Sequence, residues 1–293
     1  MNIKSTKLIH TIRALLIPIN FIKDPIKSLQ IFKMNLCRRS IALDDVRHYL
    51  RLNHCTYSRR LNFRQRSRIF IEHNHLISRS LGENFLHPSQ QSTLTFWHEK
   101  FDTHILTIKL STPKGLHRYE GEMILTLECD EINLITMSFQ TCNGEHLSET
   151  GKVVFVTRIQ GAPNHYNNVK KACKLMSNMN LSFALISALE GFCDSLNIKK
   201  IIGIDCSAQT AFLGSMDSPN FINTYDKFWL KNHASPMSNG YYLLNLPLLP
   251  THLPTPTGSH RARTLKHREI RRRITSATRQ SLDDFKVSQG LNN

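Results

Sequence analysis

Alternation with a period of two runs through four successive stretches: Leu106, Ile108 and Leu110; Met123, Leu125, Leu127 and Cys129; Ile135, Met137 and Phe139; and Val153, Phe155, Thr157 and Ile159. That period belongs to strands that bury one face. The links between them, "STPKG", "CDE" and "TCNGEHLSETG", are short, so neighbouring strands run antiparallel. The spacing predicts a meander that starts near residue 94. After Ile159 the period becomes helical. Val169, Ala172, Cys173 and Met176 form one stripe, with Asn167 or Asn168 placed to cap it; Leu181, Ala184, Leu185, Ala188, Leu189, Phe192 and Leu196 form a second, ending at Asn197. "KKIIGIDC", residues 199 to 206, is an apolar run suited to a buried strand. A strand joined to the next strand by helices implies a parallel pair. The predicted class is α/β (α+β): an antiparallel meander followed by a β-α-α-β crossover. In such sheets ligands favour the carboxyl end of the parallel pair.

The flanks read differently. Residues 1 to about 80 are helical and basic in pattern: Leu8, Ile12, Leu15, Leu16 and Ile19 share a face away from Lys7, His10 and Arg13, and "RRLNFRQRSRIFIEHNHLISRS" continues the style. Such a segment either packs on the body of the protein or lies at a membrane interface. No run reaches membrane length, and no small-x-small cleavage site follows the first apolar stretch, so neither a span nor a signal peptide is expected. Beyond the crossover come the strand pattern "GYYLLNLPL", the Pro-rich surface link "PLLPTHLPTPTGSH" and the basic run "RARTLKHREIRRRITSATRQ". Three regions follow: 1–80, helical and basic; 94–250, the mixed core; 251–293, the link and a basic tail packed with that core.

Thirty-eight Lys and Arg against 22 Asp and Glu give a net charge of +16, which favours a polyanionic partner: nucleic acid, anionic lipid or an acidic cofactor. Seven cysteines, an odd number with no C-x-x-C, point to a reducing compartment and a cytoplasmic location. H-E-x-x-H, G-x-S-x-G, G-x-x-x-x-G-K-[ST] and G-x-G-x-x-G are all missing, which weakens hydrolase, nucleotide-loop and dehydrogenase readings together. His73 and His75, two apart on a helix, point to different faces, and no metal site is expected from them.

Three groups of residues remain as candidates. At the end of the fourth strand, Val153, Phe155, Thr157 and Ile159 share one face by strict alternation, so Arg158 shares the other with Val154 and Val156, and Gln160 lies past the alternation. Gly161 allows a close backbone approach or a positive φ. The following helix start would offer free N–H groups, so Arg158, Gln160 and Gly161 either grip a phosphate or carboxylate, or form a turn with Arg158 paired to a structural carboxylate. Tyr225, Asp226 and Trp229 form either a binding wall or part of the core. Arg261, Arg263, Arg271, Arg272 and Arg273 belong to a solvated helix or to a polyanion contact; with no aromatic residue among them, a stacking platform for single strands is not expected.

The order "VVFVTRIQG", "VKKACKLM", "LSFALISALEGFCDSLNIKKIIGID", "YDKFW", "GYYLLNLP" and "SHRARTLKHREIRRR" resembles the bacterial VirK/YbjX family, most strongly from about residue 150 to 275. That family is associated with enterobacterial virulence and envelope remodelling, with no biochemical activity assigned. Its corner reads Gly-Arg-Leu-Gln-Gly, matched here by Arg158, Gln160 and Gly161, with Thr157 in place of the first glycine; "NMNLSF" replaces its Leu-Arg-Pro type link. Its aromatic motif is matched by Tyr225, Asp226, Phe228 and Trp229, and its basic tail by Arg261, Ala262, Arg271, Arg272 and Arg273. The family's sheet order is similar to the GCN5-related acyltransferase fold, whose splayed parallel pair and helix start receive the pyrophosphate of coenzyme A. Gly161-Ala162-Pro163 departs from that fold's Gly-x-Gly/Ala loop, and Pro163 has no N–H to give. The resemblance implies a cytoplasmic, VirK-like accessory protein of Gram-negative bacteria, peripheral on the inner membrane if the first helix engages it. The alternatives are a basic RNA-binding regulator and an acyltransferase that uses coenzyme A.

Overall fold

The computed structural model describes residues 52, 56–82, 85, 93–113, 120–212, 214, 218–248, 259–288 and 290. The N-terminal amphipathic stripe from Leu8 to Ile19 and most of the Pro-rich link lie outside these residues. The described elements are α1 (Phe63–Leu81), β1 (Thr93–Phe101), β2 (His104–Ser111), β3 (Met123–Cys129), β4 (Ile132–Asn143), β5 (Lys152–Gly161), α2 (Tyr166–Leu175), α3 (Leu181–Ser195), β6 (Lys200–Ile204), α4 (Ser218–Thr224), α5 (Asp226–Lys231), β7 (Ser235–Pro236), β8 (Tyr241–Asn245) and α6 (Ser259–Ser288). The strands form one eight-stranded sheet in the order β1-β2-β3-β4-β5-β6-β8-β7. Every neighbouring pair is antiparallel except β5 and β6, the two strands joined by the α2–α3 crossover. The fold class is therefore mixed α/β, with the meander and crossover in the expected places.

The meander has one strand more than the alternation counts. In "TLTFWHEKF" a register shift between Thr95 and Trp97 puts Phe96 and Trp97, adjacent in sequence, both in buried positions, and this hides β1 from a search for period two. A second bulge, at Thr157, overturns the predicted faces of β5. Ser138 pairs with Arg158 but the next β4 residue, Phe139, pairs with Val156. Ile159 consequently joins Val154 and Val156 in the cluster packed against α3, while Val153 and Phe155 face the opposite cluster with Tyr57, Tyr225 and Tyr241. Arg158, opposite Ser138, is turned toward that second face.

The first predicted helix of the crossover also begins earlier than expected. His165, without a side-chain cap bond, stands at the N-cap, and Asn167 and Asn168 lie inside α2. The second, α3, is capped by Asn180, whose side chain accepts from Ser182 N–H. Helix α1 starts at a capping box formed by Asn62 and Gln65. It covers the part of β4 that runs past β3: Thr141 N–H donates to His73 Nδ1 at 3.1 Å and Asn143 N–H to a Glu72 carboxylate oxygen at 2.8 Å. A strand edge is thus closed by helix side chains. His73 is buried and His75 exposed, as their spacing requires.

The basic run is a 30-residue helix, α6, packed on α3 and β1. Its buried stripe, Ile270, Ile274, Thr278 and Leu282, repeats every fourth residue among the arginines. At the crossing a Cβ on Gly191 of α3 would lie 2.4 Å from the Thr275 carbonyl oxygen, so only glycine lets the helices approach this closely. No helix among the described residues is long and apolar enough to cross a membrane.

Candidate functional site

Strands β5 and β6 pair only over Val154–Ile201, Phe155–Ile202 and Val156–Gly203. Past that point β5 continues to Gly161 against β4 alone, and β6 ends in the short turn Cys206–Ala208. The pair opens into a cleft of about 210 Å³ lined by Glu120, Arg158, Gln160, Gly161, Gln209 and Tyr225. Four of the residues singled out by sequence meet there: Arg158, Gln160, Gly161 and Tyr225.

Glu120 is the partner that sequence reasoning missed. Its carboxylate lies 2.9 Å from Arg158 Nε, with the two side chains 16% and 9% exposed. Local backbone geometry puts it there. A Cβ on Gly121 would meet the Phe139 nitrogen at 2.8 Å, so glycine is required for this segment to lie against β4, where Glu122 N–H donates to the Phe139 carbonyl. The Thr157 hydroxyl donates to the Glu120 carbonyl oxygen. Thr157, which replaces a glycine of the VirK/YbjX pattern, is thus both the bulge residue and a tether for the chain that carries Glu120.

Tyr225 is 4% exposed, and its hydroxyl bonds with the Ile159 backbone and the Gln209 side chain. Burial pushes its pKa well above the ordinary value, so it stays a phenol at neutral pH and serves as a neutral hydrogen-bonding group. Gly161 has no left-handed φ, and a Cβ there would meet only the Leu134 carbonyl oxygen at 3.9 Å. The glycine is not demanded by backbone strain. Ala162 N–H is already donated to the Leu134 carbonyl, and Pro163 has none, so the corner offers few free backbone donors.

Asp226 and Trp229 sit away from the cleft lining. Asp226 accepts from the Tyr242 hydroxyl at 2.9 Å and from Cys206 N–H at 3.1 Å, fastening α5 to the end of β6. Burial and then the Asp226 bond push the Tyr242 hydroxyl up to about 12. Trp229 is fully buried, donates Nε1–H to the Ile204 carbonyl at 2.9 Å, and lies over Gly203. The motif therefore divides: Tyr225 lines the cleft, while Asp226 and Trp229 hold its wall.

The five candidate arginines of the tail divide as well. Arg273 is paired with Glu99 at 2.7 Å and Arg272 with Glu269 at 2.9 Å. Arg271 is largely enclosed and donates Nε–H to Ser187 Oγ at 3.0 Å. Arg261 and Arg263, exposed in the first turns of α6, have no side-chain partner among the described residues.

Burial raises the pKa of Cys129, Cys142, Cys173, Cys193 and Cys206, which leaves none of them poised as a thiolate nucleophile. His104, Cys129 and Asp130 bring ligand-type atoms within 4.8 Å of one another. The His104 Nδ1 to Asp130 distance of 2.6 Å is that of a hydrogen bond, and the other Asp130 oxygen accepts from Ile105 N–H. Coenzyme A fits the cleft poorly. A pyrophosphate there would face the Glu120 carboxylate, find Arg158 already paired, and lack the row of free N–H groups that the acyltransferase loop supplies.

The fold is thus a mixed α/β sheet with a cleft at the open end of its one parallel pair. The chain belongs to the family described as protein of unknown function DUF535, whose model matches residues 21–273. This is the VirK/YbjX family that the motifs resemble. No curated protein and no solved structure gives a significant match.

Proposed function

We propose that the chain is a VirK-like accessory protein of Gram-negative bacteria whose Arg158 cleft binds a small neutral or zwitterionic ligand. It would act in envelope remodelling or virulence-factor expression, from the cytoplasm or the inner face of the membrane. The observation that carries the binding claim is the Thr157 bulge, which turns Arg158 and its Glu120 partner into the cleft where β5 and β6 part. Bulges commonly re-aim a side chain next to a site. Because the charges of Arg158 and Glu120 balance, the lining offers paired donor and acceptor groups with the Tyr225 phenol and the exposed Gln160 amide. An amino acid or an amide-bearing sugar matches that array better than a polyphosphate does.

The test is thermal unfolding of the full chain with free amino acids, N-acetylglucosamine and coenzyme A. A ligand near a hundred times its Kd stabilises by about 2.7 kcal/mol, a readable shift. At least one of the first two classes is expected to raise the melting temperature of the wild type and not of Gln160→Ala. Gly161→Val, by contrast, is expected to keep wild-type stability to within about 0.5 kcal/mol, since its Cβ meets no close neighbour. A shift from coenzyme A alone would restore the transferase reading, and no shift from any probe would remove the cleft as a site.

A second reading, contact with RNA, is favoured by the exposed Arg261 and Arg263, which have no side-chain partner among the described residues. Changing both to Gln is expected to lower the salt dependence of RNA binding by roughly 1.4 log units per decade of salt. Arg271, Arg272 and Arg273 do not suit this test, because their interactions within the fold would be lost together with their charge. A slope that does not move would leave Arg261 and Arg263 as solvated residues only.

A further inference from the structure

At the other end of the sheet, where Asn245 pairs with Lys200 at the start of β6, a second and larger pocket of about 440 Å³ lies between α3, α5, β8 and α6. Its apolar part is Phe183, Leu244, Leu246 and Leu248; its basic side chains are Lys231 and Arg271, with the His233 imidazole beside them. Among the described residues Arg271 is hydrogen-bonded through Nε–H alone, to Ser187 Oγ, with its guanidinium carbon 5.9 Å from the Phe183 ring centre. Among the described residues no carboxylate lies within ion-pair distance of it. Glu190 acts on it from further off and is engaged by Leu248 N–H at 2.8 Å. Burial depresses the Arg271 pKa from its ordinary value, which is the cost of enclosing a cation without a paired anion. Lys231 and His233 have no side-chain partner among the described residues. The chain that follows Leu248, residues 249–258, contains no Asp or Glu and brings no charge to match them.

We propose that this pocket binds an anion carried on a short apolar body, a phosphate monoester or carboxylate with an alkyl tail. The terminal nitrogens of Arg271 supply a planar pair of donors for the anion, Lys231 and His233 close on it from the α5 side, and the leucines with Phe183 receive the tail. The volume suits a small molecule, and the mixture of a few cations with an apolar floor excludes a purely polar anion as the best ligand.

Isothermal titration of the full chain with hexyl phosphate, inorganic phosphate and hexanol tests this. Hexyl phosphate is expected to bind at least about tenfold more tightly than inorganic phosphate, because the tail adds apolar burial, and hexanol is expected not to bind measurably. Arg271→Met is expected to lose about tenfold or more in affinity. Lys231→Met, at an exposed position where the fold is not at risk, is expected to lose at least about threefold at an unchanged melting temperature. Gln160→Ala, in the separate cleft, is expected to bind hexyl phosphate as the wild type does. Vesicles containing phosphatidic acid, whose headgroup is a phosphate monoester, distinguish the source of the anion. Retention on them, displaced by hexyl phosphate and lost in Lys231→Met, identifies a lipid headgroup; binding of hexyl phosphate without retention identifies a soluble ester. Failure of the wild type to bind hexyl phosphate, equal affinity for inorganic phosphate, or unchanged affinity in both Met variants would each overturn the proposal.

Discussion

Gly203→Ala is expected to destabilise the protein by more than about 3 kcal/mol, at or beyond the upper end of ordinary overpacking. A Cβ at this position would lie 1.9 Å from two ring carbons of Trp229, far inside van der Waals contact. The ring cannot easily step aside. It is fully buried, stacked edge-on against Phe228 at 4.8 Å, and held by Nε1–H to the Ile204 carbonyl on the same strand. Relief would have to come from moving β6, which is paired on one side to β5 and on the other to β8. Trp229→Leu alone leaves a cavity and is expected to cost about 3 kcal/mol. In the double variant, Gly203→Ala with Trp229→Leu, the new methyl group occupies part of that cavity, so the total should fall well short of the sum of the single losses. Urea unfolding of the four proteins reads the coupling directly. If Gly203→Ala stays within about 1 kcal/mol of the wild type, the packing of Trp229 over β6 is not as tight as described.

This contact also shows why part of the molecule was legible in the sequence and part was not. Period-two runs and two helical stripes were enough for the meander, the crossover and the parallel pair, because each is a local pattern dictated by burial on one face. Gly203 in "IIGID" carries no such pattern: the reason for the glycine lies 26 positions away, in the ring of Trp229. The bulges at Phe96–Trp97 and Thr157 each add one residue to a strand, and a single addition inverts every face assignment beyond it. Extrapolated alternation consequently put Arg158 on the face that α3 covers, when the structure turns it the other way. Arg158, Gln160, Gly161 and Tyr225 were visible as residue types at a strand end or in an aromatic motif. Glu120 and Gln209 were not, since nothing in "HRYEGEM" or "CSAQTA" announces a partner some 40 to 90 residues off. The tail shows the converse error of emphasis. Its arginines dominate the composition, yet the stripe Ile270, Ile274 and Leu282 decides that it packs, and two of the five candidate arginines are left exposed with no partner among the described residues.

Arg158→Ala is expected to cost about 3 to 5 kcal/mol, because it leaves the Glu120 carboxylate enclosed beside Tyr225 without its cation. In a chain of this size that is on the order of a 10 °C fall in melting temperature. Glu120→Ala takes this carboxylate from the guanidinium instead and should lose a similar amount. Replacing both, Arg158→Met with Glu120→Leu, removes two desolvation penalties along with the attraction, and the double variant should recover most of the wild-type melting temperature. Stability alone would not separate a structural ion pair from a ligand site, since a buried pair serves either. The separation comes from the double variant in the presence of a ligand that stabilises the wild type. With the fold restored but the paired charges gone, a site built on Arg158 and Glu120 should give no shift, whereas a ligand held elsewhere should shift both proteins equally. Should Arg158→Ala melt within a few degrees of the wild type, the pair is not the buried contact described, and the corner's charge is free for an anion after all. Should the double variant melt low as well, the loss comes from packing around the bulge at Thr157 rather than from an unpaired charge.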